Sequence, residues 1–155
     1  MTRRRDEAGQ VGGIEGLVFG FLIFVLGALL VANAWGVIDA RLAAGAAARE
    51  ATRAFVESSA TTSEEALSEA DAVARRTVAG YGRDGSKLVV VAEQGSLRRC
   101  ARVTLRAEYP VPLIVLPIFG SHGRGFTAVG RHSEIVDPYR AGLRDRSACP
   151  SELVP

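Results

Sequence analysis

With 155 residues, 48% of them hydrophobic and 23% charged, the chain is sized for one modest domain and is too apolar to be disordered throughout. A formal net charge of +2 without a dense basic block excludes an electrostatic nucleic-acid binder, and two cysteines exclude a disulfide-rich scaffold. The two histidines, His122 and His132, are separated in sequence and leave little from which to build a metal centre, so neither metal nor cofactor is expected.

Residues 1–15 form a short arm bearing Arg3, Arg4 and Arg5. Residues 16–38, GLVFGFLIFVLGALLVANAWGVI, carry no charge. As a helix this run is about 35 Å long, against a hydrocarbon core of about 30 Å, which predicts one transmembrane helix and the lipid bilayer as a partner. A rival reading exists. The arginines can serve as the positive region of a signal peptide, residues 17–31 as its apolar region and Ala32-Asn33-Ala34 as an A-x-A site, so that signal peptidase would cut after Ala34 and release a secreted binding module. The apolar region is long for a signal, and the helical pattern crosses the cut without a break, which favours the anchor. Arginines flank both sides of the run (Arg41, Arg49 and Arg53 follow it), so the positive-inside rule does not choose an orientation. The short arm and a downstream cysteine favour a cytoplasmic N-terminus and an external C-terminal domain.

Glu15 stands at the edge of the span, where a carboxylate must stay at headgroup level, take up a proton or find a partner. It reads either as a boundary marker or as a point of subunit contact or processing recognition. Gly12, Gly16 and Gly20 recur at every fourth position and form a smooth stripe of the kind along which membrane helices approach closely.

Beyond the span, residues 39–57 contain strong helix formers and no proline. Ala44, Ala47, Ala48, Ala51 and Phe55 recur at helical spacing, with Arg49, Glu50, Arg53 and Glu57 mainly on the other side. The membrane helix is therefore expected to continue outward as one long rod with a small-residue face, and Arg53 and Glu57 are spaced to pair. Residues 58–62 break it. A second, short helix opens on the capping box Thr62-x-x-Glu65, shows a stripe of Leu67, Ala70, Val73, Ala74 and Val78, and ends at Gly80 or Gly82.

The pattern then changes to period two. Residues 88–92 read as a strand and Gln94-Gly95-Ser96 as a turn. Ala101, Val103, Leu105, Ala107 and Tyr109 alternate with Arg102, Thr104, Arg106 and Glu108, as a half-buried antiparallel strand requires. The prolines of residues 110–117 exclude an interior strand and a second span there and predict an apolar crossover. A loop over residues 120–125 and a third strand over residues 126–136 follow. Residues 138–155 are polar and expected to be poorly ordered. The expected fold is α+β: transmembrane helix, rod, short helix and a three-stranded antiparallel meander, with residues 39–137 as the external domain.

This order of parts resembles the TadE-like proteins, minor pseudopilins of the Tad (Flp) tight-adherence pilus system. The resemblance rests on the glycine-bearing arm with a glutamate opening the span (residues 9–19, GQVGGIEGLVF), the small-residue helix AAAREATRA of residues 46–54, and the alternating strand leading through a proline-containing apolar segment to a last strand. It implies a non-catalytic, pilin-like protein of the cytoplasmic membrane that assists pilus assembly. Other pseudopilin subunits, an assembly platform and a prepilin peptidase would be its partners. Cleavage after Gly9 would place Glu15 sixth, whereas the family has its glutamate fifth. The cleavage site is not transferred, and Glu15 stands as a candidate for subunit contact.

Catalytic patterns are weak. The glycines of residues 120–125 lack the lysine and the strand–helix frame of a phosphate loop. His132, Ser133 and Glu134 are adjacent in a strand, where neighbours point to opposite faces and cannot form a triad. Cys100 shares parity with Arg102 and Thr104 and is expected on the outer face. Outside the membrane it can join Cys149 and tether the tail. The alternatives are two free thiols or a Cys149 linked to another chain.

Overall fold

The computed structural model describes residues 8–112, 125–143 and 149, with the backbone alone for residues 8–12 and 14. The expected glycine loop (apart from Gly125), residues 113–117 of the proline segment and most of the tail lie outside the described residues. The fold is α+β. Helix α1, Ala8–Glu57, runs for 50 residues without interruption, about 75 Å, and so joins the apolar run and the alanine-rich rod into one element. Its first turns lie upstream of Gly16, in the segment expected to be an arm. Helix α2, Ser63–Gly80, follows after residues 58–62, and a 3-10 turn spans Gly85–Lys87. Strands β1 (Val89–Gln94), β2 (Arg102–Val111) and β3 (Phe126–Ile135) form an antiparallel sheet in the order β1-β2-β3.

The local chemistry that sets these boundaries is explicit. Thr62 is the N-cap of α2, its hydroxyl accepting from the Glu65 amide at 3.3 Å. At the other end Gly82 adopts φ +72°, its amide donating to the Ala79 carbonyl while the Arg83 amide donates to Val78, a Schellman closure that needs a residue without Cβ strain. The α2 stripe is Ala66, Ala70, Ala74 and Val78, all fully buried. Leu67 is only partly buried and Val73 is half-exposed, so the buried ridge follows the i, i+4 row and is rotated from the expected one.

The core lies between the outer half of α1, α2 and one face of the sheet. Ala40, Ala44, Ala47, Ala48, Ala51 and Phe55 are inaccessible or nearly so, as the small-residue face predicts. They meet Val103, Leu105, Ala107, Tyr109 and Val111 of β2 and Ala128 of β3. The closest approach is at Gly130, where an added Cβ would run into the Ala44 carbonyl and the Gly45 amide. Thr52, buried in this seam, bonds the Ala48 carbonyl at 2.7 Å, which satisfies its hydroxyl within the helix.

Two expectations need correction. Pro110 and Val111 belong to β2, the central strand, rather than to a crossover. Pairing of β1 stops at Val89 opposite Glu108, so at Pro110 the strand has a neighbour on the β3 side only, and a missing amide is tolerated there. Cys100, expected on the outer face, is buried, because β2 begins only at Arg102 and the chain turns through φ +63° at Cys100 itself. Its amide donates to Val136 at 2.9 Å, and Cys100 and Cys149 are disulfide-bonded with their Cα atoms 5.4 Å apart. The start of the tail is also held: the Arg99 guanidinium donates to the Arg140 carbonyl at 2.7 and 2.9 Å, and Arg140 reaches the Val56 carbonyl.

Candidate functional site: the apolar helix and its collar

The inner half of α1 is uncovered. Leu17, Phe24, Leu30 and Trp35 are each about 70–74% exposed, in contrast to Ala40, Ala44, Ala47, Ala48 and Ala51 of the outer half, which are 0% exposed. Large apolar side chains occur on every side of this half, so no polar stripe exists to face water. An uncovered apolar surface of this extent marks a membrane or partner contact. This is one helix long and apolar enough to cross a membrane. Asn33, the amide side chain within the uncharged run, donates to the Leu29 carbonyl at 2.8 Å and so has a local acceptor on its own helix.

Glu15 is exposed and borders a shallow hollow of about 360 Å³ with Val18, Phe19 and Leu22. An added Cβ at Gly16 or Gly20 would meet nothing within 4 Å, so that part of the stripe is open; the surroundings of Gly12 lie outside the described residues. A larger hollow of about 680 Å³ lies further along, where Gly27, Ala28 and Ala32 sit between Phe24, Val31 and Trp35. Its one sequence signal is Ala28-x-x-x-Ala32, the small-residue spacing that marks such a notch.

Where α1 leaves the apolar run, the domain grips it. Arg83 donates from Nε and Nη2 to Asp39 Oδ2 at 3.0 and 2.7 Å, and from Nη2 to the Gly36 carbonyl at 3.0 Å. The guanidinium carbon lies 5.4 Å from the centroid of the Tyr109 ring. Arg83 thus joins helix, α2 loop and central strand at one point. A second arginine fixes the same loop: Arg75 pairs with Asp71 at 2.6 Å and donates to the Gly85 and Ser86 carbonyls at 3.0 and 3.1 Å. Asp84 caps the 3-10 turn, and the hydrogen bonds it accepts from the Ser86 side chain and amide hold its carboxyl below the usual range. No motif in the sequence announced this collar, since Arg83 and Asp39 are 44 residues apart.

The outer face of the sheet mixes paired polar side chains with the exposed Val89, Val91, Val129 and Ile135. Glu93 of β1 meets Arg131 of β3 at 3.0 Å, Arg106 meets Glu108 at 2.7 Å, and Thr104 bonds Ser133 at 2.8 Å. Arg53 and Glu57 pair at 3.1 Å on α1, and the Glu57 hydrogen bond raises the Arg53 pKa further above its usual value. His132 and Glu134 meet at 3.2 Å on the inner-facing side of β3, while Ser133 points the other way to Thr104. The three adjacent side chains therefore do not converge. Among the described residues no group of three or more His, Cys, Asp and Glu side chains could hold a metal ion. What the arrangement can do chemically is hold a compact domain at a fixed position on an apolar helix. Compared with known protein families, with characterised proteins and with solved structures, the chain matches none of them.

Proposed function

We propose that this chain is a single-pass, non-catalytic, pseudopilin-like protein of the cytoplasmic membrane that assists assembly of a Tad/Flp-type pilus or a related secretion apparatus. The observation that carries the reading is α1. Its inner half is uncovered and apolar, its outer half is an alanine face packed under the sheet, and one unbroken helix connects them. This is the organisation expected of a subunit that stands in a bilayer by its helix and presents an external domain to other subunits. The TadE-like resemblance of the arm, the rod and the last two strands gives that organisation its assembly role. Glu15 and the glycines at 12, 16 and 20 are then the points at which neighbouring helices meet.

Two measurements test it. Intact mass of the native protein, with carbonate-washed membranes as its source, is expected to find a retained helix, whereas a soluble chain beginning at Trp35 would identify a secreted module cut after Ala34. Deleting the chain in its native cell is expected to abolish surface pili, with rescue by the wild type but not by Gly16→Leu/Gly20→Leu. Unchanged fibres in the deletion would overturn the assembly role.

A further inference from the structure

We infer that the end of the domain around Arg83 is a lipid-contacting rim, seated in the headgroup layer of the same bilayer that the apolar helix crosses. The inference rests on the membrane-anchor reading of α1 and adds where the domain sits relative to that membrane.

Helix α2 lies antiparallel to the outer half of α1, since Ser58 at the outer end bonds Glu69 and Arg83, just beyond the other end of α2, bonds Asp39. The C-terminus of α2 is therefore level with Asp39. The Arg83 bond to the Gly36 carbonyl places its guanidinium beside the last turn of the uncharged run of residues 16–38. At 1.5 Å per residue, Gly36 is only about 3 Å short of the end of that run. No stalk separates domain from membrane. The sheet agrees: Tyr109 lies under Arg83, and β2 continues past it to Val111, which pairs with Phe126 at the start of β3. Strand β3 passes Ala44 at Gly130, and Phe126 is four residues upstream of that crossing, on the span side.

The side chains at this level have the character of an interface. Tyr81 is 47% exposed and Phe126 57%, on the two sides of the Arg83 anchor, while Trp35 is 71% exposed on the helix itself. Aromatic rings of this kind favour the headgroup level, with an apolar body and, for Tyr and Trp, a polar edge. Among the described residues the charges at this level largely cancel: Arg83 with Asp39 at 2.7 Å and Lys87 with Asp84 at 3.9 Å, leaving Arg41 exposed. The partner is thus the interfacial zone of a bilayer in general rather than an anionic lipid, and the contact should depend little on salt or on anionic lipid content.

Trp35 is the single tryptophan of the chain, which makes the test direct. The full-length protein is reconstituted into phosphatidylcholine bilayers containing lipids brominated at shallow or deep acyl positions, and emission quenching is read. Wild-type Trp35 reports the anchor. Tyr81→Trp and Phe126→Trp, each in a Trp35→Phe background, report the rim, and Tyr139→Trp in the same background serves as a reference. Both rim tryptophans are expected to lose more of their emission to shallow bromines than to deep ones, as suits rings at headgroup level. The values should be the same with and without anionic lipid, and Arg83→Ala should reduce the quenching. Quenched Trp35 with water-like, unquenched emission from both rim positions would overturn the seating and leave the anchor standing. Unquenched Trp35 would remove the anchor and the seating together.

Discussion

Two glycines on facing elements show how a single Cβ can act with opposite sign. Gly130 faces the Ala44 carbonyl and the Gly45 amide, backbone atoms that cannot swing aside as a side chain would. Gly130→Ala must therefore push β3 off the rod, an overpacking cost of about 1–3 kcal/mol. Gly45, inside α1, has open space where its Cβ would be. Gly45→Ala should stabilise by about 0.5–1 kcal/mol, the usual gain from removing glycine from a helix interior. Chemical denaturation of the two variants in detergent should show midpoints displaced in opposite directions, and parallel shifts would contradict the contact geometry. At Asp84 the prediction is a titration. Its carboxyl is held below the ordinary value by Ser86, so the favourable contribution of the ionised form is complete above that ordinary value and fades as pH falls through the lower folded value. Carbon-13 titration should find Asp84 low, and Ser86→Ala should move it upward.

At the scale of elements, the two halves of α1 and the alternation of β2 were legible because each obeys one strong rule. A run without charge reads as a span, and alanines at helical spacing read as a face. Inward Val103, Leu105 and Ala107 alternating with Arg102, Thr104 and Arg106 read as a half-buried strand. What misled was local chemistry whose outcome depends on neighbours. Proline at position 110 argues against a strand, but the argument loses force where β1 has already ended. Parity put Cys100 outside, but parity ends where φ turns positive. The collar was invisible, since an arginine in a loop and an aspartate in a helix gain meaning only from tertiary contact. The pairing of Cys100 with Cys149, one of the alternatives the sequence leaves open, is formed, and with Arg140 it fastens the described part of the tail to the domain. That bond closes a separation of 49 residues, so chain entropy limits its contribution to roughly 4 kcal/mol. Cys149→Ser should lower the denaturation midpoint and abolish the midpoint's response to reductant. A wild-type midpoint that reductant leaves unchanged would show that the bridge is not formed in the protein.

Across the whole molecule, the continuous helix separates two stabilities that share one element. The first residue of α1 to pack against the core is Val37, and the uncovered run upstream of it is stabilised by what lies outside the domain. Lipid can supply this, because a helix satisfies its own backbone groups and its apolar side chains need no partner there. Substitutions in the two halves should therefore have separable effects. Leu22→Arg/Leu26→Arg places two cations in the middle of the span, each adding about 2.5–3.5 kcal/mol to insertion, and should release the chain from carbonate-washed membranes. The α/β domain should keep its melting midpoint, since neither side chain touches it. Ala47→Leu, in the fully buried seam, should do the reverse: it stays in the membrane fraction while the domain loses cooperative unfolding or becomes protease-sensitive. If the span variant also unfolded the domain, the apolar half would be part of the folded core of a larger assembly rather than a helix solvated by lipid. If it remained in the membrane, the anchor would lie elsewhere than in residues 16–38.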